Sequence, residues 1–189
     1  YEGSNHRVRR EYFSPGVIGR ADGLILRHVL EHVQNPVDFL RHLKDANGGS
    51  GKIYIEVPCL DWICEHSAWF DVFYEHVNYF RLSDFKGMFG DIQRSGRVFG
   101  SQYLYVIAEL SSLRTPVYDP QNPVRFPATF TKQIDSPVSS PTGKSAVWGG
   151  ASKGVIFTFL KSRAGHAVDM VIDINPAKQG KYLPGTGMK

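Results

Sequence analysis

Long apolar runs are missing from this 189-residue sequence. None reaches the ~20 residues that a membrane-spanning helix needs. No N-terminal stretch has the charged-then-apolar layout of a signal peptide. The expectation is a cytoplasmic chain with no membrane partner. Cysteine is scarce too: Cys59 and Cys64 are the only two. That is too few for a disulfide framework or a four-thiolate zinc site. Charge of one sign does not accumulate, since 22 Lys and Arg against 18 Asp and Glu leave a net +4. The one basic cluster is Arg7-Val8-Arg9-Arg10. Without a basic stripe interleaved with aromatics, nucleic acid is not expected as the main partner. No internal repeat is visible.

What is present is an ordinary globular composition, 42% hydrophobic and 21% charged,. Asp22-Gly23-Leu24-Ile25-Leu26 is a short apolar run with an acidic entry and reads as a buried strand. Asn35-Pro36-Val37-Asp38 carries helix-start chemistry: Asn35 as N-cap, Pro36 at the first helical position, an acid at the third. Val37, Phe39, Leu40 and Leu43 give that helix one apolar face, and Asn47-Gly48-Gly49 should stop it. Lys52 to Val57 follows as a strand. Strand, helix, glycine-rich turn and strand make the repeating unit of a parallel sheet. Residues 61–73 are expected to be helical. Ser83-Asp84-Phe85 should cap a short helix ending near Gly90. Arg97 to Phe99 and Gln102 to Ala108 read as two strands around a tight turn, an antiparallel pair at the edge of the sheet.

Six prolines between residues 111 and 142 punctuate a stretch of little periodicity, which reads as a linker,. Ser145 to Trp148 then reads as a strand, Gly149 to Gly154 as a glycine turn, Val155 to Leu160 as the opening of a helix, and Val168 to Asp173 as a second strand. The expected organisation is an α/β domain over residues 1–110, a linker over 111–142 and a small C-terminal α/β unit over 143–189. The expected fold is a partial doubly wound, mostly parallel Rossmann-like sheet, with a second Rossmann-like unit after it.

Two Glu-His pairs stand out. Glu31-His32 is one; Glu75-His76, preceded by Tyr74, is the other. Carboxylate, imidazole and phenol span acidic to basic pKa values that an apolar surround moves toward neutrality, so such a cluster can take and return a proton. Both pairs are expected to line one pocket, on either side of the strand ending at Val57-Pro58. The competing reading is a helix cap or a surface pair with no chemistry. His28-Val29-Leu30-Glu31-His32 also matches H-x-x-E-H, the inverted zinc-peptidase pattern. That pattern needs a long helix, whereas a strand-type run precedes it and Asn35-Pro36 follows it, so no metal is assigned. Gly149-x-Ala151-x-x-Gly154 is a variant of the dinucleotide fingerprint, with Asp173 about twenty residues on. Ala151 stands where close approach of a pyrophosphate wants glycine. Gly149, Gly150, Gly154 and Asp173 therefore read either as a nucleotide turn or as a tight turn with no ligand.

The segment from Asp22 to Leu26, followed by Val29-Leu30-Glu31-His32-Val33 and Asn35-Pro36, resembles the strand-and-loop region of class I S-adenosylmethionine-dependent methyltransferases. Gly51 to Pro58 is similar to the next strand of that fold. Phe73-Tyr74-Glu75-His76-Val77-Asn78-Tyr79-Phe80 resembles the Tyr-x-Glu-His segment of the bacterial sugar C-methyltransferases. Val147 to Gly154, Asp173 to Pro176 and Gly180 to Gly187 resemble their C-terminal domain. The likeness spans most of the chain outside the proline-rich stretch.

The resemblance implies methyl transfer to the carbon alpha to the keto group of a nucleotide-linked sugar, with S-adenosylmethionine as cofactor. It implies His76 as the base, Glu75 orienting it, and His32 or Tyr74 stabilising the enolate oxygen. Arg27, His28, Leu30 and Glu31 would lie at the cofactor edge. The family's tyrosine falls at Phe73, with Tyr74 in the variable place. Family members carry a cysteine-rich zinc-binding domain, a glycine-rich cofactor loop and a ribose-binding acid ahead of these segments. Tyr1-Glu2-Gly3 reads as the middle of a domain, so those parts would precede Tyr1, and weak or absent cofactor binding is expected of this chain. Two other readings stay open: a non-catalytic remnant or interaction module lacking the cofactor loop, and a nucleotide-binding protein using Gly149 to Gly154. A homo-oligomer is left open.

Overall fold

The computed structural model describes residues 8–10, 19–138 and 143–189. The Tyr1-Glu2-Gly3 start lies outside these residues. Strand β1 (Gly23–Arg27) runs parallel to β2 (Lys52–Pro58), with Leu24 beside Ile53 and Leu26 beside Ile55. Helix α1 (Pro36–Ala46) connects them. Strand β4 (Tyr103–Glu109) lies antiparallel to β2, and β3 (Ile92–Val98) lies antiparallel to β4. The order is β1-β2-β4-β3. The sheet is therefore mixed, with one parallel and two antiparallel pairings among the described residues. The short Phe99–Gln102 turn leaves β3 and β4 only the antiparallel option, because parallel neighbours need a long crossover.

Ile53, Ile55 and Val57 of β2 and Leu104, Val106 and Ala108 of β4 alternate onto one face and are almost fully buried,. They pack with Leu40 and Leu43 of α1, and with Leu30, Phe80, Phe85, Met88 and Leu110. Each buried aliphatic or aromatic side chain stabilises the fold by about 1.5–3 kcal/mol. The other face carries a polar array: the Tyr54 hydroxyl donates to Glu56 Oε2 at 2.5 Å, and Arg27 donates to Glu56 Oε1 through Nε and Nη2.

Asn35 is the N-cap of α1 and Pro36 follows it, but the Asn35 side chain makes no capping bond. The stop is more tightly made. Asn47 is fully buried, accepts from the Ala21 amide at 2.8 Å, and donates to the carbonyls of Ala21 and Ser50. Gly51 is needed beside it: its φ is +112°, and a Cβ there would come within 2.6 Å of Asn47 Nδ2,.

Three expectations need correction. Strand β1 is not buried: among the described residues it lies at the edge of the sheet, and Ile25 is 72% exposed. Residues 61–73 are not one helix. Helix α2 (Leu60–Glu65) ends, Ser67 takes a φ of +49°, and a separate 3-10 turn forms at Trp69–Asp71. Tertiary contacts decide this, because Trp69 stacks on Phe157 with ring centroids 5.1 Å apart. The next helix, α3 (Leu82–Met88), starts earlier than Ser83: Arg81 is its cap, and its amide donates to Asp84 Oδ2 at 2.7 Å.

From Arg114 to Val138 no strand or helix forms. Beyond it, β5 (Ala146–Trp148) and β6 (Met170–Ile172) pair in parallel, Val147 beside Val171, with helix α4 (Ser152–Arg163) between them. Helix α4 leans on the Trp69–Asp71 turn. Lys161 of α4, almost fully buried, donates to the carbonyls of Gln133 and Ser136 and so ties the proline-rich stretch to the helix. No helix among the described residues is long and apolar enough to cross a membrane.

Candidate functional site

A cavity of about 490 Å3 opens where α4 faces the β1 and β2 ends; its wall includes His28, Glu31, His76, Tyr103 and Lys153. Ligands in such folds bind beyond the carboxyl ends of the parallel strands. Here His28 follows β1 and Pro58 ends β2, and both line the cavity. His28 holds a left-handed φ of +53°, uncommon outside glycine, with its amide bonded to the Glu56 carbonyl at 2.9 Å,. This bend stops β1 and starts a 3-10 turn at Leu30–His32. The long helix that the H-x-x-E-H pattern needs does not form.

Leu30 drops into the core, while Glu31 and His32 turn to the cavity. The Glu31 carbonyl accepts the amides of Val77 at 2.9 Å and Asn78 at 3.1 Å. Asn78 Nδ2 also donates to the Val33 carbonyl. These bonds clamp the second Glu-His segment onto the first, and the two pairs meet.

The Glu31 carboxylate is 1% exposed, and neither of its oxygens has a hydrogen-bond donor. Burial pushes this carboxyl up, although its own amide and the neighbouring His32 and His28 pull the other way,. His28 Nδ1 lies 3.4 Å from Glu31 Oε1, and its Nε2 lies 3.2 Å from Glu56 Oε1. His32 Nδ1 is 2.7 Å from the Glu75 carbonyl oxygen. A carbonyl only accepts, so this nitrogen carries a proton, and Nε2, the site of the lone pair in a neutral ring, lies 4.0 Å from Glu31 Oε1,.

The His76 ring tilts against Phe73, centroids 4.0 Å apart, and meets His32 edge-on at 4.9 Å. Its Nδ1 is buried without a partner. Burial, then the nearby His32, lower the His76 pKa to about 4, so the ring is neutral at pH 7,. The Glu75 carboxylate turns elsewhere: Oε1 accepts from the Tyr74 hydroxyl at 3.1 Å and Oε2 from Ser152 Oγ at 3.0 Å. Tyr74 is exposed and outside the cavity wall, whereas Phe73 is part of it. Arg27 is also outside the wall, held by Glu56.

Several wall residues escaped the sequence reading. Asp71 is buried, pairs with Lys153 Nζ through Oδ1, and accepts from Gln102 Nε2 at 3.2 Å through Oδ2. An acid set between Phe70 and Val72 was the available signal. Tyr103, Trp148 and Ser152 gave none. Of the glycine turn, Gly149 and Gly154 line this cavity, while Gly150 and Asp173 line a second one of about 610 Å3. Asp173 accepts the amides of Gly150 at 2.9 Å and Asn175 at 2.8 Å, and these bonds hold its carboxyl low. A Cβ on Gly154 would stand 1.8 Å from the Gly149 carbonyl oxygen, so glycine is required there for packing.

One further grouping was not expected. A carboxylate oxygen of Glu31 and a ring nitrogen each from His32 and His76 lie within 4.8 Å of one another.

A family model described as a methyltransferase domain matches residues 4–93. The match takes in β1, β2 and both Glu-His pairs and stops inside β3; the C-terminal unit lies beyond it. It supports S-adenosylmethionine-dependent methyl transfer. No curated protein matches the chain.

Proposed function

We propose that the chain acts in S-adenosylmethionine-dependent methylation of carbon in a nucleotide-linked keto-sugar. The observation that carries this reading is the meeting of the two Glu-His pairs in one cavity, beyond the parallel strand ends and within the methyltransferase-like stretch.

The residues present suit the cationic methyl donor at one point. The Glu31 carboxylate is buried, lacks a donor and faces the cavity, where a positive sulfonium or amine would offset its desolvation,. His28 stands beside it; Arg27 and Leu30 are engaged elsewhere. When bound, S-adenosylmethionine supplies the electrophilic methyl group and leaves as S-adenosylhomocysteine, the bond pair staying on sulfur.

His76 accepts the proton from the carbon alpha to the keto group, and the C–H electron pair becomes the enolate. A neutral ring is the form able to do this, and that is the form burial enforces,. His32 keeps Nδ1–H on the Glu75 carbonyl, so it would stabilise the enolate oxygen only as an imidazolium, through Nε2–H,. Glu75 orients the segment through Ser152 of α4 rather than by pairing with the His76 ring. Lys153 puts a cation at the rim for an anionic substrate, although Asp71 shares it.

A nucleotide site at Gly150 and Asp173 is the second reading. The internal bonds of Asp173 count against it, because they occupy the acid that a ribose would need. Incubation of the chain with methyl-labelled S-adenosylmethionine and nucleotide-linked keto-sugars tests the proposal. Label should appear in the sugar for the wild type and vanish in His76→Gln. Since cofactor binding by this chain is expected to be weak, the assay supplies S-adenosylmethionine in large excess, and no transfer to any keto-sugar under that excess would contradict the proposal.

A further inference from the structure

We infer that Glu31, His32 and His76 form a binding site for a borderline divalent transition cation of the zinc or cobalt kind, and that its occupancy withdraws His76 from proton abstraction. The binding half stands on geometry alone; the inhibitory half rests on the proposed function.

Three side chains contribute one ligand atom each, all within 4.8 Å of one another. Zinc bonds of about 2.0–2.2 Å set tetrahedral donors about 3.4 Å apart, so modest side-chain rotation closes the site. Glu31 offers a buried carboxylate with no donor on either oxygen. His32 is already arranged as a metal-binding imidazole is: Nδ1–H donates to the Glu75 carbonyl, and Nε2 faces Glu31,. His76 keeps a buried, unpartnered Nδ1 in the same cluster. The turn carrying Glu31 and the segment carrying His76 are locked together by the Val77 and Asn78 amides on the Glu31 carbonyl, which pre-organises the three ligands.

Two imidazoles and one carboxylate select among metals. Calcium and magnesium favour oxygen-rich sets, whereas this nitrogen–oxygen set suits zinc, cobalt, nickel or iron. Three protein ligands leave a coordination position open toward the cavity. A bound ion would take the His76 lone pair, so metal and substrate proton compete for the same atom.

The test is titration of the full chain with zinc chloride by calorimetry, with cobalt absorption as a second readout. One equivalent should bind, and Glu31→Gln, His32→Gln and His76→Gln should each weaken binding by at least roughly tenfold, while His42→Ala, on an exposed face of α1, should not,. Circular dichroism identifies any variant that fails to fold, and Glu31→Gln keeps the side-chain shape. Zinc should also shift the ring resonances of His32 and His76 in the wild type. Multiple weak equivalents, or binding unchanged in all three cluster variants, would overturn the site. If one equivalent binds with the expected variant pattern yet zinc leaves solvent exchange into the keto-sugar untouched, the inhibitory half fails. Absence of methyl transfer altogether leaves the titration readable, so the two failures are separable.

Discussion

Lys153→Met tests how α4 is held against the cavity. Lys153 Nζ pairs with Asp71, whose side chain is 4% exposed, while that of Lys153 is 42% exposed. Removing one partner of a fully buried pair strands a charge and costs about 3–5 kcal/mol. An exposed pair contributes about 0–1 kcal/mol. Water reaches the lysine end here, and Gln102 still donates to Asp71 at 3.2 Å, so the value falls between these limits. The expected destabilisation is about 2 kcal/mol, a urea midpoint lower by about 1 M for a chain of this size. Fluorescence is the natural probe, because Trp69 and Trp148 both lie near α4. A double-mutant cycle with Asp71→Asn isolates the pair and should return a coupling of about 1–2 kcal/mol. Lys153 also helps hold the His76 pKa down, so the variant should move the His76 NMR titration upward. A coupling below about 0.5 kcal/mol, with His76 unmoved, would refute this account of the interface.

Gly154→Ala should break the turn before α4, because its methyl would meet the Gly149 carbonyl; a loss of about 1–3 kcal/mol is expected by urea melting, and an unchanged midpoint would show that the turn can relax,. Tyr54→Phe removes the hydroxyl bound to Glu56 and should cost about 1.5 kcal/mol near pH 7,. Burial pushes the Glu56 carboxyl up, but the bonds from Tyr54 and Arg27 outweigh it and leave it below its ordinary 4.5. That stability is present above pH 4.5 and is lost as pH falls through the lowered value, so Tyr54→Phe should flatten the acid limb of stability against pH. An equally steep acid limb in the variant would contradict the assignment.

The parts of the fold that were legible are those written in local pattern. The apolar run at Leu24–Leu26 and the strand from Lys52 show their periods directly, and Asn35-Pro36 marks the start of α1 without a side-chain cap. The break at Ser67 was not legible, because it is imposed by stacking between Trp69 and Phe157 from a distant helix. The left-handed backbone at His28 was hidden for a like reason, since the residue has no intrinsic preference for it beyond a mild one,. In the site, adjacency gave the two Glu-His pairs but not their partners. Ser152 and Glu75 meet although they lie 77 residues apart, and nothing local to either announces the bond. The H-x-x-E-H spacing suggested a metal helix and failed as a helix; Glu31 and His32 nevertheless reach a third ligand, His76, through the fold.

The central claim is that His76 abstracts a proton next to a carbonyl. The most direct measurement is solvent-deuterium incorporation into a nucleotide-linked keto-sugar, with S-adenosylhomocysteine present so that exchange proceeds without methyl transfer. The wild type should exchange deuterium at the alpha carbon. His76→Gln should slow that exchange by about two to four orders of magnitude, the range for loss of a general base, while leaving sugar affinity largely unchanged. Exchange at the wild-type rate in His76→Gln would contradict the account and assign the base to another residue of the cavity.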